Sequence, residues 1–575
     1  FRGVLKQNRS GALYMDQPRI YKEEEYAALS GTLQPRYSLP KGLKNGRILR
    51  TLAEILKDTR GEAEFLPEEQ RRRLGLREEE RAAEAVHFPS SMEDAQAARE
   101  RLAFDEFFFF LMGVYSARSR TQQMTNRRPM LETAEPERLI EALPYRLTDG
   151  QRQAWAEIRA DLCGTHVMNR LLEGDVGSGK TILAFLALLL AASNGRQGAM
   201  MAPTEVLARQ HMEGLLRMAE RYHLPVSPVL LTGSVKGAAR KTCYEGIASG
   251  AFNVVIGTNA LIQEKLEYHD LGLVITDEQH RFGVRQREAL AGKGEEVPIL
   301  VMSATPIPRT LALILYGDLQ VSLLKERPGD RLPIRNSVVD ETWREKAYAF
   351  LLRQIKEGHQ AYIICPAVGP GEMSGVANVE EYVPALEAAL PGEVTVAGLH
   401  GRMKPAQKER IMHDFAERRI DILVSTTVVE VGINVPNATA MLVENAERFG
   451  LAQLHQLRGR VGRSAEQSYC IFMYSGALKE KPERLAILEH SQDGFYLAEE
   501  DMRLRGPGDL SGVRQSGELA FAAADIYADQ ALLKKAAELV REIMEEDPLL
   551  EREEHHEIRL QRGRRQEKFI DFRSI

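Results

Sequence analysis

The segment GDVGSGKT, residues 174–181, decides the fold because it fits the phosphate-loop pattern G-x-x-x-x-G-K-[ST]. Apolar runs at 168–172 and 182–190 flank it and predict a strand, the loop and a helix in that order. In such loops the glycines allow successive backbone N–H groups to turn toward phosphate oxygens. The candidate nucleotide-binding residues are Gly174, Asp175, Val176, Gly177, Ser178, Gly179, Lys180 and Thr181. We expect Lys180 to reach the β/γ-phosphates and the Thr181 hydroxyl to bind Mg²⁺.

A second motif, Asp277-Glu278, follows an apolar run at 271–276. Phosphoryl transfer needs a carboxylate for the metal ion and a group that polarises the attacking water. We therefore assign Asp277 to Mg²⁺ and Glu278 to the water, so that the two motifs together predict hydrolysis of ATP with Mg²⁺. The alternative is a glycine-rich turn with an unrelated surface Asp-Glu pair, which base rates make the weaker interpretation.

The bulk properties exclude several classes of protein. A chain of 575 residues is too long for one core, and its net charge of −6 argues against a uniformly basic nucleic-acid surface, so any such path is a local groove. Four widely spaced cysteines without a C-x-x-C pair predict neither a zinc site nor disulfides, which fits a reducing cytoplasm. The apolar run 107–114 is too short to span a bilayer and predicts a buried helix rather than a membrane anchor.

Two central regions alternate short apolar runs with helical patterns, which predicts parallel sheets whose ligands lie at the carboxyl ends of the strands. The first region, between 144 and 320, has predicted strands at 168–172, 199–202, 253–256, 273–276 and 299–302. After a break containing Pro328, Gly329 and Pro333, the second has predicted strands at 361–365, 394–397, 422–425, 440–443 and 469–473. The fold class is therefore α/β with two parallel-sheet lobes, and only the first lobe carries a phosphate loop.

The flanking regions differ in character from these lobes. Residues 1–36 carry short β-like pieces that look like the end of a domain, and helices are predicted at 47–57, 67–76 and 92–115. Beyond about residue 476 the pattern is helical again. The predicted domains are 1–36, 37–140, 141–330, 331–475 and 476–575. Because the chain opens on Phe1 rather than Met, we expect an N-terminal portion to be absent.

The second lobe contributes QLRGRVGR, residues 456–463, in which Gln456, Arg460 and Arg463 are candidate catalytic residues. Planar guanidinium groups suit the charge on a γ-phosphate in transit, which predicts an ATP site between the two lobes. A basic surface helix is the alternative. A complete phosphate site in the first lobe favours the catalytic interpretation, because such charge-stabilising groups commonly arrive from a neighbouring element.

Polar residues recur at the predicted strand ends of both lobes. Ser303 and Thr305 could sense the bound phosphate and pass the signal to the other lobe. Hydroxyl and backbone groups at strand ends could also hold a phosphodiester chain without reading bases. The candidates for this contact are Thr204, Thr258, His400, Gly401 and Thr426. Singly each is more often a cap or a turn, and their recurrence in both lobes is what favours nucleic-acid binding.

Longer strings show a resemblance to a known family. They are LLEGDVGSGKT (171–181), APTEVLA (202–208), DEQHRFGV (277–284), MSATPIPRT (302–310) and ENAERFGLAQLH (444–455). With the arginine motif, they resemble the superfamily 2 helicases and, more closely, the RecG family of bacterial ATP-dependent DNA helicases, over about residues 30–520.

The resemblance implies RecA-like lobes in a monomeric ATPase that translocates on branched double-stranded DNA and remodels stalled forks and Holliday junctions in recombination and repair. Single-stranded DNA-binding protein is a candidate partner. The resemblance also implies that Gln151 contacts adenine. It places a translocation motif over 504–517, in which Arg505 and Arg514 would couple hydrolysis to movement.

The chain departs from the family pattern in several places. Val513 stands where Thr is usual, Ser511 where Leu is usual, and Asn434 where Asp is more frequent. Only residues 1–36 resemble the end of the family's oligonucleotide-fold wedge domain, which puts junction splitting by this chain in question. Two alternative functions remain, a translocase like the transcription-repair coupling factor, which has Asp-Glu-Glu-Gln at the second motif, and a catalytically idle DNA-binding scaffold.

Overall fold

The computed structural model describes most of the chain in two compact units. One unit comprises residues 1–116 with 519–570, and the other 117–518 with 571–575. The described residues are 2–7, 12–20, 22–23, 33, 35, 37, 43, 45–58, 64–122, 125–277, 284–303, 319–326, 332–369, 376–427, 435–462, 466–476, 482–505, 521–526 and 528–566.

The first unit begins with a two-stranded antiparallel sheet, followed by helices. Its N-terminal elements are β1 (Arg2–Gln7), β2 (Leu13–Arg19), α1 (Asn45–Asp58), α2 (Glu68–Leu74), α3 (Glu79–His87) and α4 (Met92–Gln122). The three helices predicted in this region are confirmed. The run 107–114 is buried within α4, where the side chains of Phe107 and Phe108 are fully covered. Among the described residues, no helix combines the length and apolar character needed to cross a membrane.

The first lobe of the second unit is a seven-stranded sheet in which every strand pair is parallel. Its strands are β3 (Asn169–Gly174), β4 (Gln197–Met201), β5 (Pro228–Leu231), β6 (Val254–Gly257), β7 (Leu271–Thr276), β8 (Ile299–Ser303) and β9 (Gln320–Leu324), in the order β5-β6-β4-β7-β8-β3-β9. Its helices are α5 (Glu135–Ala142), α6 (Asp149–Leu162), α7 (Lys180–Ser193), α8 (Glu205–Tyr222), α9 (Gly237–Ala248) and α10 (Val284–Ala291). Every residue of α7 from 182 to 192 is buried, as expected of a helix that is apolar on all sides.

The second lobe repeats this architecture with a six-stranded parallel sheet. Its strands are β10 (Arg335–Asp340), β11 (Gln360–Ile364), β12 (Val396–Leu399), β13 (Ile422–Ser425), β14 (Ala438–Val443) and β15 (Tyr469–Tyr474), in the order β10-β15-β14-β11-β13-β12. Its helices are α11 (Arg344–Lys356), α12 (Val379–Ala389), α13 (Pro405–Ala416) and α14 (Leu451–Arg458), followed by α15 (Glu483–His490) and α16 (Gly494–Arg505). Two predicted parallel-sheet lobes are therefore confirmed.

The chain then returns to the first unit through α17 (Gln530–Glu546) and α18 (His556–Gln566). The segment 521–526 is fastened to α4, because the Glu106 carboxylate accepts hydrogen bonds from three successive backbone N–H groups, those of Ala522, Ala523 and Ala524, at 2.9, 3.0 and 2.8 Å. Phe521 also packs edge-on against Phe107, with ring centroids 5.3 Å apart. The predicted division of the chain into five consecutive domains, with boundaries after residues 36, 140, 330 and 475, stays a prediction.

Candidate functional site

The phosphate loop joins β3 to α7 and depends on its glycines. Gly177 and Gly179 have φ of 79° and 85°, in the left-handed region that glycine adopts without cost. A Cβ on Gly179 would also lie 2.2 Å from Gln151 Nε2, which no real packing allows. The backbone shape that the pattern predicted therefore requires these glycines.

Lys180 and Ser178 show that this loop fits an anionic ligand. The Lys180 ammonium donates to the carbonyl oxygens of Gly174 and Asp175, at 2.6 and 2.9 Å, so its charge is held within the loop. The Ser178 hydroxyl is buried and has no hydrogen-bond partner in the described part of the chain. Buried polar groups are normally paired, so a loop with this hydroxyl and a held ammonium group is suited to phosphate oxygens.

Gln151 connects α6 to this loop. Its Oε1 accepts from the Thr148 backbone N–H at 3.0 Å, while the Thr148 hydroxyl accepts from the Gln151 N–H, which forms a capping box. Its Nε2 donates to the Ser178 carbonyl oxygen at 2.8 Å. The side-chain amide thus makes contacts to protein groups at both ends, and its expected contact with adenine stays a prediction.

The predicted metal ligands come from α7 and β7. Thr181 lies in the first turn of α7, and Asp277 directly follows β7 and is buried. The strand β8 lies between β3 and β7, and all three strands run parallel. The phosphate loop and Asp277 therefore both lie at the carboxyl ends of the strands. The described residues contain no cluster of three or more His, Cys, Asp or Glu that could hold a metal by itself. Thr181 and Asp277 both offer oxygen ligands, and Mg²⁺ is usually held by one or two protein groups of this kind plus phosphate oxygens and water.

The structure also places a residue beside Asp277 that the sequence analysis did not identify. His211 lies in α8, and its Nε2 is 2.8 Å from Asp277 Oδ2. The two residues are 66 positions apart, so only the tertiary fold brings them together.

The two lobes meet at the phosphate loop through α14. His455 Nε2 is 2.6 Å from Asp175 Oδ1, and His455 Nδ1 is 2.6 Å from an Arg458 Nη2. Since a guanidinium can only donate, Nδ1 accepts from Arg458 and the Nε2–H donates to Asp175. All three side chains are buried. His455, directly before the predicted Gln456, therefore makes the contact between the lobes. The spacing of residues in the sequence did not indicate this role for His455.

Close backbone approach accompanies this contact. A Cβ on Gly459 would lie 3.0 Å from both Cβ and Cγ1 of Val176, although the Gly459 backbone has an ordinary helical φ of −66°. A cavity of about 370 Å³ lies beside this contact and is lined by residues of both lobes, including Asp175, Val176, Pro333, His455, Gly462 and Gln492. The predicted Gln456 is buried, and the predicted Arg460 is half-buried.

The helix α14 is fixed at both ends to the helices that follow the second lobe. Arg458 Nη1 donates to the Ser491 carbonyl oxygen at 2.9 Å, just past α15. At the other end, the Leu451 N–H donates to Asp501 Oδ1 of α16 at 3.0 Å. The interlobe residues are thus physically connected to α16, which ends at Arg505.

The candidate nucleic-acid residues lie at the ends of neighbouring strands, as predicted. Thr204 follows β4 and caps α8, with its hydroxyl accepting from the Leu207 N–H at 3.3 Å, and Thr258 follows the adjacent β6. In the second lobe, His400 and the exposed Gly401 follow β12, and the buried Thr426 follows the adjacent β13. Their contact with nucleic acid stays a prediction.

Ser303, the last residue of β8, is buried between the two motif-bearing strands. Several other predicted residues lie outside the described part of the chain, or their side chains do. They are Glu278, Thr305, Asn434, Arg463, Arg505, Ser511, Val513 and Arg514.

Comparisons with known families cover most of the second unit. The family model described as DEAD/DEAH box helicase matches residues 148–314, and that of the helicase conserved C-terminal domain matches 344–465. A third, described as domain 3, C-terminal, of the ATP-dependent DNA helicase RecG, matches 491–575.

Relatives match over nearly the whole chain. An ATP-dependent DNA helicase RecG of Synechocystis sp. is 42% identical over 99% of this chain and 68% of its own length. The Bacillus subtilis RecG is 40% identical over 92% of this chain and 77% of its own length. A solved structure of RecG bound to a three-way DNA junction is 37% identical, with a TM-score of 0.70 over 94% of this chain and 70% of that one. With this identity and coverage, the chain belongs to the RecG family of ATP-dependent DNA helicases.

Proposed function

We propose that this ATP-dependent helicase acts on branched double-stranded DNA and moves along it by closing and opening its two lobes around ATP. The observation that carries the proposal is the buried contact between Asp175 of the phosphate loop and His455 of the second lobe, 2.6 Å apart. Binding or loss of a triphosphate at the loop would act directly on the relative position of the lobes through this contact.

The residues have distinct roles in the hydrolysis. The loop amides and Lys180 bind the phosphates, Glu278 orients the attacking water, and Gln456, Arg460 and Arg463 stabilise charge from the second lobe. Thr181 and Asp277 would hold Mg²⁺, which when bound neutralises charge on the β- and γ-phosphate oxygens. Ser303 and Thr305 would relay the state of the phosphates between the lobes.

Movement would be passed on through α14 and α16. Because Arg458 and Leu451 connect α14 to the helices before residue 506, closure of the lobes would displace the segment that contains Arg505 and Arg514. Thr204, Thr258, His400, Gly401 and Thr426 would hold the DNA backbone at the strand ends.

Branched DNA is proposed as the substrate because the solved RecG relative is bound to a three-way junction. Single-stranded DNA-binding protein as a partner, a monomeric state and a cytoplasmic location stay predictions. No observation favours a transcription-coupling translocase, since the matched C-terminal family model is that of RecG. The complete phosphate loop argues against an idle scaffold.

Two substitutions test the chemistry. Lys180→Ala should weaken both nucleotide binding and hydrolysis, whereas Glu278→Gln should retain binding and lose turnover. Binding of a fluorescent ATP analogue and DNA-stimulated hydrolysis would be measured side by side, with Lys356→Ala, an exposed lysine of α11, as the control. Near-normal turnover in either variant, while the control behaves alike, would refute the assignment.

A further inference from the structure

His211 is held in one orientation by three elements of the first lobe. It lies on α8, its Nε2 is 2.8 Å from Asp277 Oδ2 after β7, and its ring packs edge-on against Phe185 of α7, with centroids 6.5 Å apart at 85°. His211 and Asp277 are 6% and 7% exposed. The imidazole therefore cannot swing away without leaving a buried carboxylate oxygen with one fewer donor.

The same helix begins at the predicted DNA contact. Thr204 is the N-cap of α8, and the hydrogen bond from the Leu207 N–H fixes the first turn on its hydroxyl. His211 lies seven positions after Thr204 along the helix, a distance of about 10 Å at the α-helical rise per residue. A helix of this length moves as a rigid body, so a displacement at its N-terminus reaches the histidine.

We propose that His211 is a positioning residue of the ATPase site, which orients the Asp277 carboxylate for Mg²⁺ and connects it to the helix capped by Thr204. The inference rests on the proposed role of Asp277 as a metal ligand. Carboxylates that bind metals are themselves oriented by hydrogen bonds, and loss of such an outer partner typically lowers metal affinity or activity by about 10- to 100-fold. Through α8, DNA held at Thr204 would alter the geometry of the metal carboxylate.

A purely structural role can be separated from this one, because the chain contains a comparable buried pair elsewhere. His555 Nδ1 is also 2.8 Å from Asp547 Oδ2, and these residues are 4% and 7% exposed in the first unit. Removal of either histidine takes one hydrogen-bond donor from a buried carboxylate and should destabilise the fold that contains it. Only the His211 pair includes a proposed metal ligand.

The experiment compares His211→Ala, His211→Gln and the matched control His555→Ala in the full chain. The readout is the Mg²⁺ concentration that half-saturates binding of a fluorescent, non-hydrolysable ATP analogue, together with the melting temperature. We expect His211→Ala to raise that Mg²⁺ concentration by about 10- to 100-fold. His211→Gln should recover part of the loss, because its amide can donate to Asp277. His555→Ala should lower the melting temperature and leave the Mg²⁺ dependence unchanged.

A second readout tests the connection to DNA. The ratio of ATP hydrolysis with and without duplex DNA, at saturating Mg²⁺, should fall in His211→Ala and stay unchanged in His555→Ala. If both histidine variants lose thermal stability alike and keep the Mg²⁺ dependence of the intact chain, the inference is overturned. If His211→Ala does not fold, the Mg²⁺ dependence and melting temperature of His211→Gln test the inference in its place.

An Asp277→Asn variant distinguishes failure of this inference from failure of the proposed function. If Asp277→Asn binds the analogue with an unchanged Mg²⁺ dependence, the proposed metal site is wrong and the inference falls with it. If Asp277→Asn loses the dependence while both His211 variants keep it, only the role of His211 is refuted.

Discussion

Asp175 is the residue at which the nucleotide loop and the second lobe meet. Its carboxylate accepts from His455, and His455 in turn accepts from the fully buried Arg458. Each member of this series is charged or polar and buried, so removal of one takes a hydrogen bond from its buried neighbour, at a cost of about 1–3 kcal/mol. The series therefore couples the phosphate loop to the second lobe.

A double-mutant cycle measures that coupling. His455→Ala and Asp175→Ala should each lower kcat/KM for ATP, and the double variant should lose less than the sum of the two losses. The expected coupling energy is about 1–3 kcal/mol, the upper part of the range for residues in contact. The exposed His490→Ala, at the end of α15, serves as the control. Additive losses would show that the contact makes no contribution to turnover.

Local pattern predicts some of these residues and misses others for a physical reason. The loop residues were predictable because their chemistry needs neighbouring positions in one turn. His211 and His455 were not, since their partners lie 66 and 280 positions away. Such pairs are set by the packing of whole elements, and a histidine on a helix carries no sign of the acid that it faces.

At the scale of elements, burial explains which strands the sequence revealed. The predicted strands β4, β7 and β14 are buried along their whole length. The three strands that were not predicted, β5, β9 and β10, all lie at sheet edges. All three are buried only at some positions, and polar residues also interrupt the apolar runs of β9 and β10. A search for continuous apolar runs therefore finds the central strands of a parallel sheet and misses three of the four edge strands, while the edge strand β12 was predicted by the run at 394–397.

The approach of α14 to the phosphate loop can be tested without altering any polar group. Gly459→Ala suits the backbone, but the added Cβ lies 3.0 Å from Val176, so Val176 or the backbone beside it must shift by a few tenths of an ångström. We expect ATP turnover to fall by less than the roughly hundredfold that a misplacement of about 1 Å costs, with little change in melting temperature.

Val176→Ala in the same chain removes both γ-carbons and should recover part of the turnover lost by Gly459→Ala. Gly563→Ala in α18, where an added Cβ meets no described atom within 4 Å, controls for the glycine change itself. Full turnover in Gly459→Ala would mean that the close approach is dispensable.

For the molecule as a whole, the rate at which its cysteines are alkylated tests whether the second lobe is folded as described. Burial raises the pKa of the Cys470 thiol to about 12, and burial also raises the pKa of Cys365 well above its usual value. Because only the thiolate reacts, both should resist alkylation at pH 8, where the thiolate fraction at Cys470 is about 10⁻⁴. Cys243, which is half-buried in the first lobe, should react first.

Mass spectrometry of alkylated peptides checks this prediction, with the same reaction in denaturant as the control. Raising the pH should increase labelling of Cys365 and Cys470 only slightly, since both side chains are fully covered. Labelling of either residue at the rate of Cys243 in native buffer would contradict the packing of the second lobe.

In the proposed function, this chain converts ATP hydrolysis into work on branched DNA. The rate of ATP hydrolysis would be measured with single-stranded DNA, linear duplex and a three-way junction of equal nucleotide content. We expect the highest rate with the junction, a lower rate with duplex, and loss of all stimulation in Lys180→Ala. A rate that is the same without DNA as with all three, or that is highest with single strands, would contradict it.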